Sequence, residues 1–409
     1  MTRFLAGLAI WLSLTAGASA EDAAARGRYL AILGDCAGCH TPPHGKDFSG
    51  AVSFNAPFGT IYSTNITPDR QTGIGGWSEK DFYRALHDGV APGPTHLYPA
   101  LPYVYFARIT RQDTNDLFAY LKTLAPVYQP PTPNKLIFPF NLRFGLIFWN
   151  WLYAGEAPPA SPMGAGAQWR RGEYLVNGLG HCAACHTPKN ILFGDDREKP
   201  LAGGLVDHWF ANNLTGGSME GLGNWSRADV EKFLATGISP HATAAGSMAE
   251  KISSSTSRMT DADRAAIAAY LKSLPPRAQM VSEMPRREEM ERGRAVFAAA
   301  CQRCHAVPGR APHPDQGILA GYPNLAGDTL VMGRDPTTVL RIILEGATPP
   351  PAPPLKPRPM PAFARLHDGE IADVASYVRN AWGNSAPPVS ATSVHALRQA
   401  LQQEQAAAH

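Results

Sequence analysis

The pentapeptide CAGCH, residues 36–40, is one of three segments in this chain with the pattern C-x-x-C-H. The other two are CAACH at residues 182–186 and CQRCH at residues 301–305. The three segments contain all six cysteines of the chain. The first cysteines of consecutive segments are 146 and 119 residues apart, which indicates one segment in each of three long repeats.

The pattern C-x-x-C-H is typical of covalent haem attachment. Two thiols at this spacing reach the two vinyl groups of one porphyrin, and the following imidazole turns back onto the iron. We therefore expect three covalently bound haem c groups, each with one iron. The cysteines expected to carry them are Cys36, Cys39, Cys182, Cys185, Cys301 and Cys304, and the proximal iron ligands are His40, His186 and His305. Redox-active CxxC sites, three disulfides and zinc are the alternatives, but zinc needs two such motifs close together.

The first twenty residues have the features of a secretory signal peptide. Arg3 precedes an apolar run over residues 4–15, and Ala18-Ser19-Ala20 forms a cleavage site before Glu21. An uncleaved N-terminal anchor is the alternative. Export predicts a periplasmic protein, associated with the cytoplasmic membrane if a partner or surface holds it there.

The composition excludes several classes of protein. Charged residues make up 17% of the 409 residues and the formal charge is +3, which argues against a disordered chain. No block of Lys and Arg is present, so no nucleic-acid partner is expected. The 38 glycines and 37 prolines predict long loops.

Each repeat has the same order of predicted helices. A helix leads into each motif, and its shared start is R-G at residues 26–27, 171–172 and 292–293. A second helix begins after an N-cap serine, Ser78 or Ser226, in the first two repeats. An amphipathic helix closes each repeat, over residues 110–124, 260–274 and 368–382. A tyrosine recurs in the closing helix, and we expect it to pack that helix onto the first one.

The predicted fold class is therefore all-α, with three tandem cytochrome c domains that each wrap around one haem and have long loops. The domains cover residues 21–160, 161–280 and 281–386, after a signal peptide over residues 1–20 and before a polar tail over residues 387–409. Proline-rich stretches mark the boundaries, at residues 157–162, 275–276 and 387–388.

Methionines supply the expected second axial ligands in two repeats. Met360 lies between two prolines and Met248 among small residues, each ahead of a closing helix. A methionine opposite a histidine raises the potential of an electron-transfer haem. Met259 and Met332 are the competing candidates for the second axial ligand in the second and third repeats.

The first repeat departs from this pattern. Leu101 takes the place of Met360, and no methionine occurs between Met1 and Met163. We expect His96 to be the second ligand of the first haem. An open or water-filled position, or another group such as Met163, remains as an alternative.

The turn that follows each motif begins with Thr41-Pro42, Thr187-Pro188 or Val307-Pro308. A carbonyl of this turn is a candidate acceptor for the Nδ1 hydrogen of the proximal histidine. The alternative is that these residues only form the turn.

Further motifs carry a resemblance to a known family. They are TNITPD at 64–69, GGW at 75–77, HLYPA at 96–100, LGHCAACHTP at 179–188, PNLAG at 323–327 and the Met360 loop. Over residues 21–384 the chain resembles the tri-haem cytochrome c subunits of bacterial membrane-bound dehydrogenases for alcohols, gluconate, sorbitol, fructose and aldehydes. The resemblance implies electron transfer from a separate catalytic subunit to ubiquinone or a terminal oxidase. It also implies one methionine ligand in each domain, which Met248 and Met360 match and Leu101 does not.

The segment over residues 136–153 is strongly apolar, but Arg143, Pro139 and two asparagines argue against a membrane span. It is expected to bury between domains, to dock the catalytic subunit, or to rest peripherally on the membrane. Val394, Leu397 and Leu401 follow at helical spacing in a tail that is too short and polar to span.

The residues thus predict an electron-transfer subunit of an oxidoreductase complex and assign no catalytic residue. No G-x-G-x-x-G motif opens a helix after a strand, so substrate oxidation is expected on another chain. Two alternatives remain. One is a peroxidase or small-ligand reductase that uses an open first haem, and the other is a free soluble carrier.

Overall fold

The structure is a computed structural model, and it describes residues 21–93, 95–154, 164–276, 282–305, 322–350 and 358–408. The expected signal peptide, the linker over residues 157–162, Met163 and the turn at Val307-Pro308 lie outside the described residues.

Three helices recur in each repeat, and we call them the leading, middle and closing helix. The leading helices are residues 21–33, Ala167–Tyr174 (continued by a π-turn over Leu175–Leu179) and Arg287–Ala300. The middle helices are Glu79–Asp88, Arg227–Thr236 and Thr337–Glu345. The closing helices are Arg111–Leu121, Asp261–Leu271 and Asp368–Asn380. The N-caps predicted at Ser78 and Ser226 are confirmed, each within a capping box.

The leading and closing helices cross at a glycine in every repeat. A Cβ atom built on this glycine would lie 1.9–2.1 Å from a backbone carbonyl oxygen of the closing helix and 2.7–2.8 Å from the Cβ of the recurring tyrosine. The glycines are Gly27, Gly172 and Gly293, and the tyrosines are Tyr120, Tyr270 and Tyr377. The prediction that the tyrosine packs the closing helix onto the leading helix is confirmed.

The arginine that precedes each of these glycines is paired across the same crossing. Its guanidinium contacts an aspartate of the closing helix at 2.6–2.8 Å between Nε and a carboxylate oxygen. The pairs are Arg26–Asp116, Arg171–Asp263 and Arg292–Asp373. The shared R-G sequence is therefore explained by one helix crossing that occurs three times.

The chain has further short helices and one longer one. The short helices are Cys36–His40, Tyr103–Phe106, Gly145–Tyr153, Ala183–His186 and Gly246–Ser254, with a 3-10 turn over Thr256–Arg258. The longer one is Ala391–Ala408, with 18 residues.

Short antiparallel strands also occur, so all-α is too strict a description of the fold. One three-stranded sheet joins Ser53–Ala56, Gly59–Tyr62 and Lys135–Leu136 in that order. Three hairpins pair Val90–Ala91 with Thr95–His96, Gly204–Val206 with Trp209–Ala211, and Ile238–Ser239 with Ala242–Thr243. These strands lie where the long loops double back, because their backbone groups need partners there.

The chain divides into two compact units. The first unit consists of the residues up to Met163 together with Tyr174–His181, and the second of Gly164–Glu173 and Cys182–His409. Within the second unit, the loops of the second repeat contact the third. The Thr338 hydroxyl bonds both the N–H and the carbonyl of Phe210, at 2.7 and 3.1 Å.

The expected polar tail forms the helix Ala391–Ala408, which packs on the third repeat. Its side chains Val394, Leu397 and Leu401 are buried in one cluster with Leu340 and Ile371. The helix therefore contributes to the core of the second unit. Among the described residues, no helix combines the length and apolar character needed to cross a membrane.

Candidate haem-binding sites

Each proximal histidine is held in the same way. Its Nδ1 lies within hydrogen-bonding distance of a backbone carbonyl oxygen. The pairs are His40 with Thr64 at 2.7 Å, His186 with Asn212 at 2.6 Å, and His305 with Pro323 at 3.2 Å. A carbonyl only accepts, so Nδ1 carries the proton and Nε2 has the lone pair that an iron atom binds. All three imidazoles are therefore oriented as metal ligands.

The accepting carbonyls belong to a repeated turn. Each carbonyl belongs to the residue just before an asparagine. The Oδ1 of that asparagine accepts a hydrogen bond from the backbone N–H of the residue two positions later, at 2.8–3.1 Å. The asparagines are Asn65, Asn213 and Asn324. The aligned motifs TNIT, NNLT and PNLA thus present a carbonyl to the proximal histidine. Sequence reasoning missed this role, although the shared asparagine was a visible signal.

The proposal that the turn after each motif supplies this carbonyl is wrong for the first two repeats. The Thr41 and Thr187 hydroxyls instead accept backbone N–H groups, from Phe48 at 3.1 Å and Leu201 at 3.0 Å. They stabilise the loop that leaves the motif. The corresponding turn of the third repeat lies outside the described residues.

Burial controls the charge of the site residues. It lowers the pKa of His40, His186 and His305, although the carbonyl hydrogen bond opposes the shift, so the neutral imidazole is favoured. Burial also raises the pKa of Cys182 and of Cys301 to about 11. Redox-active CxxC sites have lowered thiol pKa values instead. None of the six cysteines forms a disulfide in this structure.

A cavity of about 450 Å³ lies in the first unit at the Cys36–His40 motif. Cys36, Cys39 and His40 line it together with apolar side chains such as Ile61, Ile74, Phe106 and Leu117. This volume is within the usual range for cofactor pockets. Two thiols, one oriented imidazole and apolar walls fit a covalently bound haem, which would supply one-electron oxidation and reduction.

An orphaned polar group in the second repeat also fits a haem. The indole Nε1 of Trp225 is buried and has no hydrogen-bond partner among the described residues. Its counterpart Trp77 lines the cavity of the first unit. Buried donors normally find an acceptor. A haem carries carboxylate groups that would provide one.

The two expected methionine ligands lie in different local structures. Met248 is on the helix Gly246–Ser254 and packs against Ala249 and Ile252. Met360 pairs with Ala347 through two backbone hydrogen bonds, at 2.8 and 3.1 Å. Both side chains are half-buried, whereas the competitors Met259 and Met332 are buried in the core. The ligand role of Met248 and Met360 stays a prediction.

In the first unit, Leu101 lines the cavity beside His40. His96 is not among the described residues that line it. The His96 Nδ1 instead lies 3.3 Å from Nδ2 of Asn150. Another imidazole, that of His181, does line the cavity, and its Nε2 lies 3.3 Å from the Gly34 carbonyl oxygen. Sequence reasoning missed His181 because it is distant in the chain from the first motif.

The repeated helices and the oriented histidines beside paired thiols define a c-type cytochrome. A family model for cytochrome c matches residues 170–275 and 290–382. The chain is 37% identical to the gluconate 2-dehydrogenase cytochrome c subunit of Pantoea cypripedii, over 91% of this chain and 89% of that one. It is 36% identical to the fructose dehydrogenase cytochrome subunit of Gluconobacter japonicus, over 91% and 82%. It is 35% identical to the cytochrome c subunit of alcohol dehydrogenase (quinone) from Gluconobacter oxydans (strain 621H), over 91% and 81%. The chain belongs to this family of dehydrogenase cytochrome c subunits.

Proposed function

We propose that this chain is the tri-haem electron-transfer subunit of a periplasmic, membrane-associated dehydrogenase. Its three tandem cytochrome c domains pass electrons from the cofactor of a catalytic subunit to ubiquinone or a terminal oxidase. The observation that carries the proposal occurs three times: a histidine held by a backbone carbonyl lies beside two cysteines that form no disulfide. The relatives that assemble into dehydrogenases support the choice of partner.

The residues of this chain hold and tune the haems rather than react with an organic substrate. The thiols would attach each haem, the carbonyl fixes each proximal imidazole, and Met248 and Met360 would raise the potential of the second and third haem as ligands. The relative from Gluconobacter oxydans is a subunit of alcohol dehydrogenase (quinone), which supports ubiquinone as an acceptor.

Substrate-driven reduction tests this function. We would purify the complex gently from native membranes, add alcohols, sugars, sugar acids and aldehydes in turn, and record the visible α-band of the haems. We expect one substrate class to reduce the haems and a large subunit to co-purify. If the protein emerges alone and no substrate class reduces it, the dedicated-subunit proposal fails.

The apolar segment 136–153 supports the membrane association. Its side chains Phe138, Phe148 and Trp151 are 76%, 66% and 81% exposed. Large exposed apolar patches mark interaction surfaces, and tryptophan and phenylalanine are suited to the membrane interface. The backbone below the patch is fixed, because Tyr98 Oη donates to the Phe140 carbonyl at 2.9 Å. We therefore assign this surface to peripheral contact with the cytoplasmic membrane.

A triple substitution of Phe144, Phe148 and Trp151 by serine tests the membrane contact. We expect binding to vesicles of phosphatidylethanolamine and phosphatidylglycerol to fall at least tenfold in a co-sedimentation assay, because each buried aromatic side chain contributes about 1.5–3 kcal/mol. Substitution of Ile191 and Leu192 by serine is the matched control, since these apolar side chains are also exposed. Equal vesicle binding by the triple variant and the wild type would assign the surface to a protein partner instead.

A further inference from the structure

We infer that Leu101 leaves the first haem without a second protein ligand, so that the cavity beside it binds a small neutral diatomic molecule. The inference rests on the proposed attachment of a haem at Cys36, Cys39 and His40. Beyond electron transfer, the first repeat would then have a ligand-binding site that the second and third repeats lack.

The hairpin that follows the middle helix identifies the position of Leu101. In the first repeat the Leu97 N–H donates to the carbonyl of Gly89, at 2.8 Å. In the second repeat the Ala244 N–H donates to the carbonyl of Gly237, also at 2.8 Å. Leu101 lies four residues after Leu97, and Met248 lies four residues after Ala244. The structure therefore places a leucine where the second repeat has a thioether.

Hydrogen bonding engages Nδ1 of His96 and favours the tautomer with the proton on Nε2. The Tyr103 hydroxyl donates to Oδ1 of Asn150 at 2.6 Å, which leaves the Asn150 amide N–H groups as donors. One of them faces the His96 Nδ1 at 3.3 Å. The His96 Nδ1 is then an acceptor, and in the neutral ring its Nε2 carries the proton. His40 has the opposite arrangement, in which Nδ1 carries the proton and Nε2 keeps the lone pair that would bind iron.

The His181 imidazole lies at another edge of the cavity. Its Nε2 is next to the carbonyl of Gly34, two residues before Cys36. Its ring packs edge-on against Phe106, with ring centroids 5.6 Å apart. These contacts place it beside the attachment motif and occupy the nitrogen that would bind iron.

The cavity wall determines the class of ligand. Leu97, Leu101 and Ile109 line it. Nearby donors already bond to backbone carbonyls: the Tyr98 hydroxyl donates to Phe140, and Arg143 Nη1 donates to His96 at 2.7 Å. An entering molecule therefore meets mainly apolar side chains. Such a pocket favours a neutral diatomic molecule such as carbon monoxide or nitric oxide over a hydrated anion.

Carbon monoxide titration of the reduced holoprotein tests the inference. We expect one of three haems to bind carbon monoxide. Leu101→Met should lower this binding at least tenfold, because a thioether would then compete for the position. The ferric far-red absorption band of methionine-ligated haem should rise by about half, since two such haems become three. Leu205→Met adds an exposed thioether outside the cavity and is the matched control, with carbon monoxide binding retained.

Other outcomes identify what fails. If the wild type is indifferent to carbon monoxide and His96→Ala or His181→Ala gains binding, that histidine is the ligand and the inference is overturned. Indifference in all three proteins, with three haems attached, also overturns it. Haem content is measured first in a pyridine haemochrome assay. Two haems, with none on the peptide that contains Cys36, would contradict the proposed function itself.

Discussion

Gly293→Ala is expected to destabilise the third repeat, and Gly369→Ala to stabilise it slightly. The Cβ of an alanine at position 293 would lie 2.1 Å from the carbonyl oxygen of Asp373 and 2.7 Å from the Cβ of Tyr377. Backbone atoms cannot move aside without separating the two helices. We expect a loss of about 2–3 kcal/mol in the free energy of unfolding, the upper part of the range for overpacked cores.

The control variant lies in the partner helix of the same crossing. A Cβ at Gly369 would meet nothing within 4 Å. Alanine there should add up to about 1 kcal/mol through its helix propensity. Thermal unfolding followed by far-ultraviolet circular dichroism measures both changes. Equal midpoints of thermal unfolding for the two variants would show that the close helix crossing at Gly293 is not required for stability.

The double variant Cys182→Ala/Cys185→Ala is expected to lose one of the three haems and substrate-driven electron transfer to the acceptor. Cys182 and Cys185 are the thiols beside His186, so without them a haem there would have no covalent bond to the chain and is expected to be lost on purification. The pyridine haemochrome assay should give two haems per chain. Acceptor reduction by the complex should fall at least tenfold, because the second haem lies on the proposed route.

Met259→Leu is the control for this variant. Met259, the competing candidate, is buried in the core of the same repeat, whereas the half-buried Met248 is the proposed ligand. It should keep three haems and normal acceptor reduction. A double cysteine variant that still carries three covalent haems would show that this motif does not attach one.

Local patterns predicted much of the fold. The capped starts at Ser78 and Ser226 and the closing helices were readable because caps and 3.6-residue periodicity act within a few residues. The short strands were missed, since pairs of two to four residues have no periodicity of their own. The helical spacing of Val394, Leu397 and Leu401 was visible in the tail, but their burial was missed, because it depends on Leu340 and Ile371 far along the chain.

The sequence by itself determined that this chain attaches haem, because the chemistry needs two thiols and an imidazole within five residues. It also determined that the first repeat lacks the methionine of the others. Only the tertiary structure decided which carbonyl orients each proximal histidine, since His40 and Thr64 are 24 residues apart. Likewise, only the structure showed that Asn150, 54 residues along the chain, bonds His96 and that Trp151 is exposed. Tautomer and exposure depend on the neighbours that folding brings together, and no local pattern encodes them.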